Sequence, residues 1–139
     1  MSSTMRFSSV SIDVSVQAVW EYYVDRIMHP DRYLADIKEF KILRQTGQEI
    51  IRYMKTALGD IVEKITLDAK NSKITFKILQ HPVLTGKLVN QIAPIPYNKN
   101  SSLLTIINER QSKNPELDLA DNLFNPKQEA LSTKQELES

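Results

Sequence analysis

From Ile37 onward the sequence breaks into short runs in which apolar and polar side chains alternate, separated by clusters rich in glycine, asparagine and serine. A period of two with this punctuation marks successive strands, and we expect them at residues 37–45, 49–57, 61–68, 73–79, 83–94 and 102–110. Strands that follow one another through short turns pair antiparallel. Gly47 in "QTGQE" and Gly59 in "ALGD" fall at inferred hairpin turns, while "DAKNSK" and "PYNKNSS" supply turn chemistry through asparagine and serine. The third glycine, Gly86, opens "GKLVNQIAPIP". Three glycines so far apart cannot build a phosphate cradle.

The first forty residues have a different texture. "MRFSSVSIDV" alternates, so that Val10, Ile12 and Val14 face inward on a first strand. Ser15 is placed to cap a helix along which Val16, Val19, Trp20, Tyr23 and Ile27 form one apolar stripe. Pro30 in "MHPDRYLADI" disfavours helical backbone at His29 and suits the first position of a new turn, predicting a break and a short second helix. Beyond the strands, "NPELDLADNLF" has Asn114 as a cap, Pro115 at the first helical position and a stripe of Leu117, Ala120, Leu123 and Phe124. "NPKQEALSTKQELES" repeats the Asn-Pro start but offers only Ala130, Leu131 and Leu137, so a short docked helix followed by a mobile or partly helical end is expected. The fold class is α+β. Residues 1–111 carry the sheet and N-terminal helices, and residues 112–139 form a C-terminal segment of the same domain.

The 139 residues fit one domain, and 41% hydrophobic content suffices for a core. A formal charge of +1 with interspersed signs argues against a nucleic-acid partner. The charge is uneven, with 15 Lys/Arg against 11 Asp/Glu in residues 1–111 and 3 against 6 in residues 112–139. With no cysteine there is no disulfide framework or thiolate nucleophile. The N-terminus lacks a signal-peptide apolar run, and no apolar segment approaches a membrane span, so a soluble, cytoplasmic protein with no integral membrane segment is expected.

The order strand, helix, helix, six strands, C-terminal helix resembles the helix-grip fold of the START/Bet v 1-like (SRPBCC) superfamily. The stretch from "VWEYYVDRIMHPDRY" through "GDIVEKITLDAKNSKITFKIL" is similar to the AtaL-like branch, over roughly residues 5–110, carried by the VWEYY helix, the HPDRY break and the GDIVEKITL strand. The resemblance implies a curved antiparallel sheet of about seven strands gripping a C-terminal helix, with a cavity between them for a hydrophobic or amphipathic small molecule. Some members carry ligands and others are cyclases or aromatases, so the fold alone does not settle the activity. One departure is Pro126, which interrupts a tail of limited hydrophobicity where related domains have a long unbroken helix.

Within that frame the first candidate site residue is Glu63, which alternates with Ile61, Ile65 and Leu67 and so shares their face. A desolvated carboxylate is costly unless a cation or hydrogen-bond donor meets it. Glu63 therefore either orients a ligand, moves a proton, or pairs with Arg52 or Lys55 across the hairpin; reversed faces at an edge are a further alternative. Arg52 and Tyr53 lie on opposite faces of one strand, either one within reach of Glu63, and Arg52 is alternatively a solvated cation on the convex face. Tyr33, beside the helix break, is a candidate at a pocket mouth, whereas Trp20 and Tyr23 belong with the core. Asn90 and Asn108 each alternate with apolar neighbours, and each either projects into the cavity or is satisfied at a strand end. His29 and His81 lack partners at metal-ligand spacing, and no GxSxG or orienting partner supports a hydrolase triad. No catalytic residue, metal or cofactor is assigned. Three functions stay open: a ligand-binding protein with an apolar cavity; a cyclase or aromatase-like enzyme on a polyketide-type substrate, with Glu63 or a tyrosine as general acid/base; and an interaction module, including a homodimer in which a second copy supplies the lid.

Overall fold

A computed structural model describes residues 6–37, 39–114 and 125–139. Strand β1 (Arg6–Ile12) leads into helix α1 (Val16–Met28) and a single 3-10 turn (Pro30–Arg32). Strands β2 (Phe40–Thr46), β3 (Glu49–Thr56), β4 (Gly59–Asp68) and β5 (Lys73–Gln80) follow as a meander. Then come β6 (Leu84–Thr85), β7 (Lys87–Ile95), β8 (Asn98–Asn108), β9 (Gln111–Ser112) and helix α2 (Pro126–Glu138). Seven strands form one antiparallel sheet in the order β1-β8-β7-β5-β4-β3-β2, and β6 pairs with β9 in a separate two-stranded ribbon.

Local chemistry accounts for most of these boundaries. The Ser15 hydroxyl accepts from the Ala18 amide at 3.2 Å and starts α1, whose buried residues Val19, Tyr23 and Ile27 are the core of the expected stripe. Full burial of such a side chain is worth roughly 1.5–3 kcal/mol. The expected second helix is reduced to the Pro30–Arg32 turn. The expected strand 83–94 is in fact two strands broken at Gly86, where φ is +103° and a Cβ would lie 2.2 Å from the Glu109 carbonyl oxygen. Only glycine allows that approach, so Leu84 and Thr85 leave the main sheet to pair with β9.

The C-terminal end also differs from expectation. The helix expected over 115–124 lies outside the described residues. The tail expected to be mobile or partly helical instead forms α2, thirteen residues long, packed on β1 and β8. Pro126 stands at its first position, where no amide donor is missed, and Asn125 Oδ1 accepts from the amides of Lys127 at 3.0 Å and Gln128 at 3.3 Å. Its buried side chains are Pro126, Ala130 and Thr133, with Leu137 packed against the core one turn on. That stripe is regular, but it is built partly from a proline and a threonine, and Leu131 is exposed.

The buried face of the sheet carries two apolar clusters. The larger joins α1 and α2 to Ile50, Ile65, Ile74, Ile92, Leu104 and Ile106; the smaller gathers Ile37, Met54, Ile61, Ile78 and Leu84. On β3 and β4 one register pair separates them, Arg52 opposite Glu63.

Candidate binding cavity

Between the sheet and the two helices lies a cavity of about 500 Å³. The sheet contributes Arg52, Met54, Glu63, Phe76, Leu88, Asn90 and Ile106, and the link after β8 contributes Arg110. Tyr23, Arg26 and Ile27 of α1, the Tyr33–Leu34 segment and Gln128, Glu129, Ser132, Thr133 and Glu136 of α2 complete the wall.

Glu63 is on the buried face because β4 alternates from Ile61 to Leu67, and it is 6% exposed. Its Oε1 accepts from Arg52 Nη2 at 2.9 Å, across the register pair that the hairpin imposes. Arg52 is 5% exposed, and its Nη1 donates to the Ile27 carbonyl at 2.8 Å. That carbonyl is in the last turn of α1, where carbonyls lack helical partners and a cation is favourable. One guanidinium thus neutralises the carboxylate and ties β3 to α1. Arg52 Nε remains buried without a hydrogen-bond partner.

The two asparagines divide. Asn108 Oδ1 accepts from the Arg110 amide at 2.8 Å and from Arg110 Nε at 3.2 Å, which satisfies it at the end of β8. Asn90 lines the cavity with its Oδ1 buried and unpartnered. Tyr33 stands at the rim: its ring packs edge-on against Tyr22 at 5.4 Å and its hydroxyl donates to Asp25, a bond that raises the phenol's pKa. Tyr53 does not join this group. Strand alternation puts it on the opposite face of β3, beside a shallower hollow with Asp60, His81 and Pro82.

Several wall residues carried no sequence signal as site residues. Arg110 is held by Glu129 of α2 at 2.7 Å, and burial lowers its pKa while Glu129 opposes the shift. The Tyr23 hydroxyl hydrogen-bonds Thr133 Oγ1 at 3.2 Å, and burial pushes the phenol up to about 12. Tyr22 donates to Glu136 and accepts from Arg26 at 3.2 Å. Arg110, Tyr23, Arg26 and the α2 side chains form a wall only through the docking of α2, which the tail's low hydrophobicity concealed. The one available signal was the i, i+3/i+4 recurrence of Pro126, Ala130, Thr133 and Leu137. The wall is accordingly mixed, with three arginines and three glutamates among apolar side chains, rather than purely apolar.

His29 caps the C-terminus of α1 through its backbone, and His81 Nδ1 accepts from the amides of Val83 at 3.1 Å and Leu84 at 3.0 Å. Among the described residues no group of three potential metal ligands occurs, and no helix is long and apolar enough to cross a membrane.

A seven-stranded antiparallel sheet with a C-terminal helix docked over a cavity is the helix-grip fold of START-like and Bet v 1-like proteins. Solved structures bear this out. The chain is similar to the Zhui aromatase/cyclase of a Streptomyces species, with TM-score 0.72 and 13% identity over 97% of this chain and 94% of that one. A START superfamily protein from Mycobacterium smegmatis gives TM-score 0.68 at 16% identity, over 96% and 98% of the two chains. Norcoclaurine synthase from Thalictrum flavum, in complex with dopamine and hydroxybenzaldehyde, gives 0.71 at 14% identity over 96% and 83%. No family profile matches the sequence, and no curated protein matches it.

Proposed function

We propose that this protein binds a small amphipathic molecule in the cavity between sheet and α2, without transforming it. The observation that carries this reading is the cavity itself: about 500 Å³, within the range of small-molecule sites, with apolar side chains such as Met54, Phe76, Leu88 and Ile106 set among polar and charged ones. Burial of the ligand's apolar surface would supply most of the affinity, at about 25 cal/mol per Å². The Arg52–Glu63 pair and Asn90 would orient it. Because α2 covers the cavity within one chain, a second copy is not required as a lid.

The enzyme reading draws support from the aromatase/cyclase and synthase neighbours and from the carboxylate in the cavity wall. Against it stands the hydrogen bond that commits Glu63 to Arg52, which suits an orienting group better than a general base. On sequence texture we place the protein beside the AtaL-like branch, acting in the cytoplasm.

Native mass spectrometry of protein purified from its own host tests the proposal. A co-purifying molecule of constant mass, lost on unfolding, is the expected result. If the folded protein shows no bound species from its host and none when offered candidate ligands, the reading fails. Turnover of a bound compound that Glu63→Gln abolishes while affinity persists would favour the enzyme.

A further inference from the structure

The helices pack on one face of the sheet, and the other face, reached by the alternate residues of each strand, carries a row of cations. In the register of the sheet Arg44 of β2 lies opposite Ile51 of β3, Ile51 opposite Lys64 of β4, Lys64 opposite Lys77 of β5, and Lys77 opposite Lys87 of β7. Four positive side chains thus stand in one line across five strands, about 19 Å long at the usual spacing of paired strands. Three of them, Lys64, Lys77 and Lys87, occupy neighbouring strands with nothing between them. Like charges directly opposite one another weaken a sheet, so stability does not account for the row.

Little on this outer face neutralises it. Lys64 meets Glu49 at 2.8 Å and Lys87 meets Glu109 at 4.0 Å, but both pairs are exposed, and such pairs are weak and screened by salt. Among the described residues Arg44 and Lys77 have no ion-pair partner. The register rows on either side, Glu49–Thr66–Thr75–Val89 and Lys41–Tyr53–Val62–Gln80, add one acid and one base. Two β-bulges bring apolar side chains alongside. At one, Leu43 shares with Arg44 the place opposite Ile51; at the other, Leu79 shares with Gln80 the place opposite Val62. The two leucines are 54% and 48% exposed.

We propose that this outer face docks on an anionic bilayer surface, with the basic row lying along the lipid phosphates and Leu43 and Leu79 entering the interface beside it. Cations close to acidic lipids gain from the negative surface potential, and apolar side chains next to them gain from the acyl boundary. Nucleic acid fits the face less well. Leucines have nothing to meet on a phosphate backbone, and half-buried Tyr53 is the one ring beside the row, whereas single-strand binding stacks successive bases on several. The row is on the opposite side of the sheet from the cavity, so the inference does not depend on what the cavity holds.

Co-sedimentation of the full chain with phosphatidylcholine vesicles, with and without about one-third phosphatidylserine, tests this. Partition onto the serine-containing vesicles is expected at low ionic strength, falling as salt rises to physiological levels, with none onto phosphatidylcholine alone. Lys77→Gln is expected to lower it about fivefold, the share of one basic residue near such a surface. Lys127→Gln, the same charge change at an exposed position of α2, is expected to leave it unaltered. Leu79→Ser is expected to lower partition without changing its dependence on salt. Lys77→Gln removes a like-charge repulsion, so its unfolding free energy should not fall, which separates lost binding from lost fold. Should it not fold, Lys87→Gln carries the same comparison. No partition onto either vesicle, equal partition onto both, or equal losses from Lys77→Gln and Lys127→Gln overturns the proposal. So does displacement of the protein from the vesicles by a single-stranded oligonucleotide at equal phosphate concentration, which would give the row to nucleic acid.

Discussion

Glu63 sits among isoleucines because Arg52 is directly across the hairpin, and each residue makes the other tolerable. Removing one partner leaves an uncompensated buried charge, which typically costs about 3–5 kcal/mol. Replacing both with apolar residues of similar volume is often neutral or stabilising. Glu63→Leu alone and Arg52→Met alone are therefore expected to lower unfolding free energy by about 3–5 kcal/mol in urea titrations, and the double variant to recover most of the loss. Additive losses would show that the two act independently. His81 makes a different kind of residue-level commitment. Its pKa is lowered, first by burial and then by Lys113, and its neutral Nδ1 accepts two amides in the turn before β6. The folded state therefore disfavours the proton. Its contribution is complete above the ordinary histidine value of about 6.5 and is lost as the pH falls below that toward the lowered folded value. Stability is expected to drop between pH 7 and 5, and less so in His81→Asn, whose side-chain oxygen can accept the same amides without titrating. Equal slopes in the two proteins would show that His81 does not set the dependence.

Among the elements, the sheet and α1 were readable in the sequence, and α2 only as a mobile or partly helical tail with an Asn-Pro start. Strand alternation from Ile50 to Leu67 fixes which side chains share a face, so the Glu63 and Arg52 positions followed from periodicity and one tight turn. The same periodicity separates Tyr53 from Arg52, but a candidate list drawn from reach along the chain kept both. The docking of α2 was illegible for a physical reason. Its contact with the sheet is made by small or weakly apolar side chains, and much of its anchoring is polar: Glu129 to Arg110, Thr133 to Tyr23, and Glu136 to Tyr22. Lys134 Nζ adds a 2.7 Å bond to the Ser11 carbonyl, and Glu138 accepts from the Asp13 amide at 2.8 Å. No hydrophobicity pattern encodes partners a hundred residues away. A helix so held opens more easily than the strands beneath it. Its amides are expected to exchange faster than those of β3, β4 and β5, and Ala130→Glu, which puts a charge at a 1% exposed position, should release it with a rise in binding of a hydrophobic dye. Equal protection of α2 and the central strands would show that the polar contacts hold as firmly as the core.

At the scale of the molecule, the cavity is the seam between two apolar clusters. Ile50 and Ile65 belong to the cluster under the helices, Met54 and Ile61 to the cluster near the β6–β9 ribbon, and the Arg52–Glu63 pair stands between them. An apolar pair at that register would have let the two clusters merge. The polar pair instead keeps a boundary, and the wall beside it is left for a ligand to complete. A molecule bound there touches both clusters, so its binding free energy is available only when both are formed. With a cavity ligand at one hundred times its dissociation constant, unfolding free energy should rise by about 2.7 kcal/mol, and the midpoint of thermal unfolding by roughly 8 °C for a chain of this size. Amide exchange locates the effect. Without ligand the smaller cluster, backed by the edge strand β2 and the two-residue β6, is expected to open at lower cost than the larger one. With ligand the two should approach a common protection, because opening either one releases the molecule. A gain confined to one cluster would place the ligand outside the seam, and so would separate binding at the cavity from binding at the hollow on the opposite face beside Tyr53.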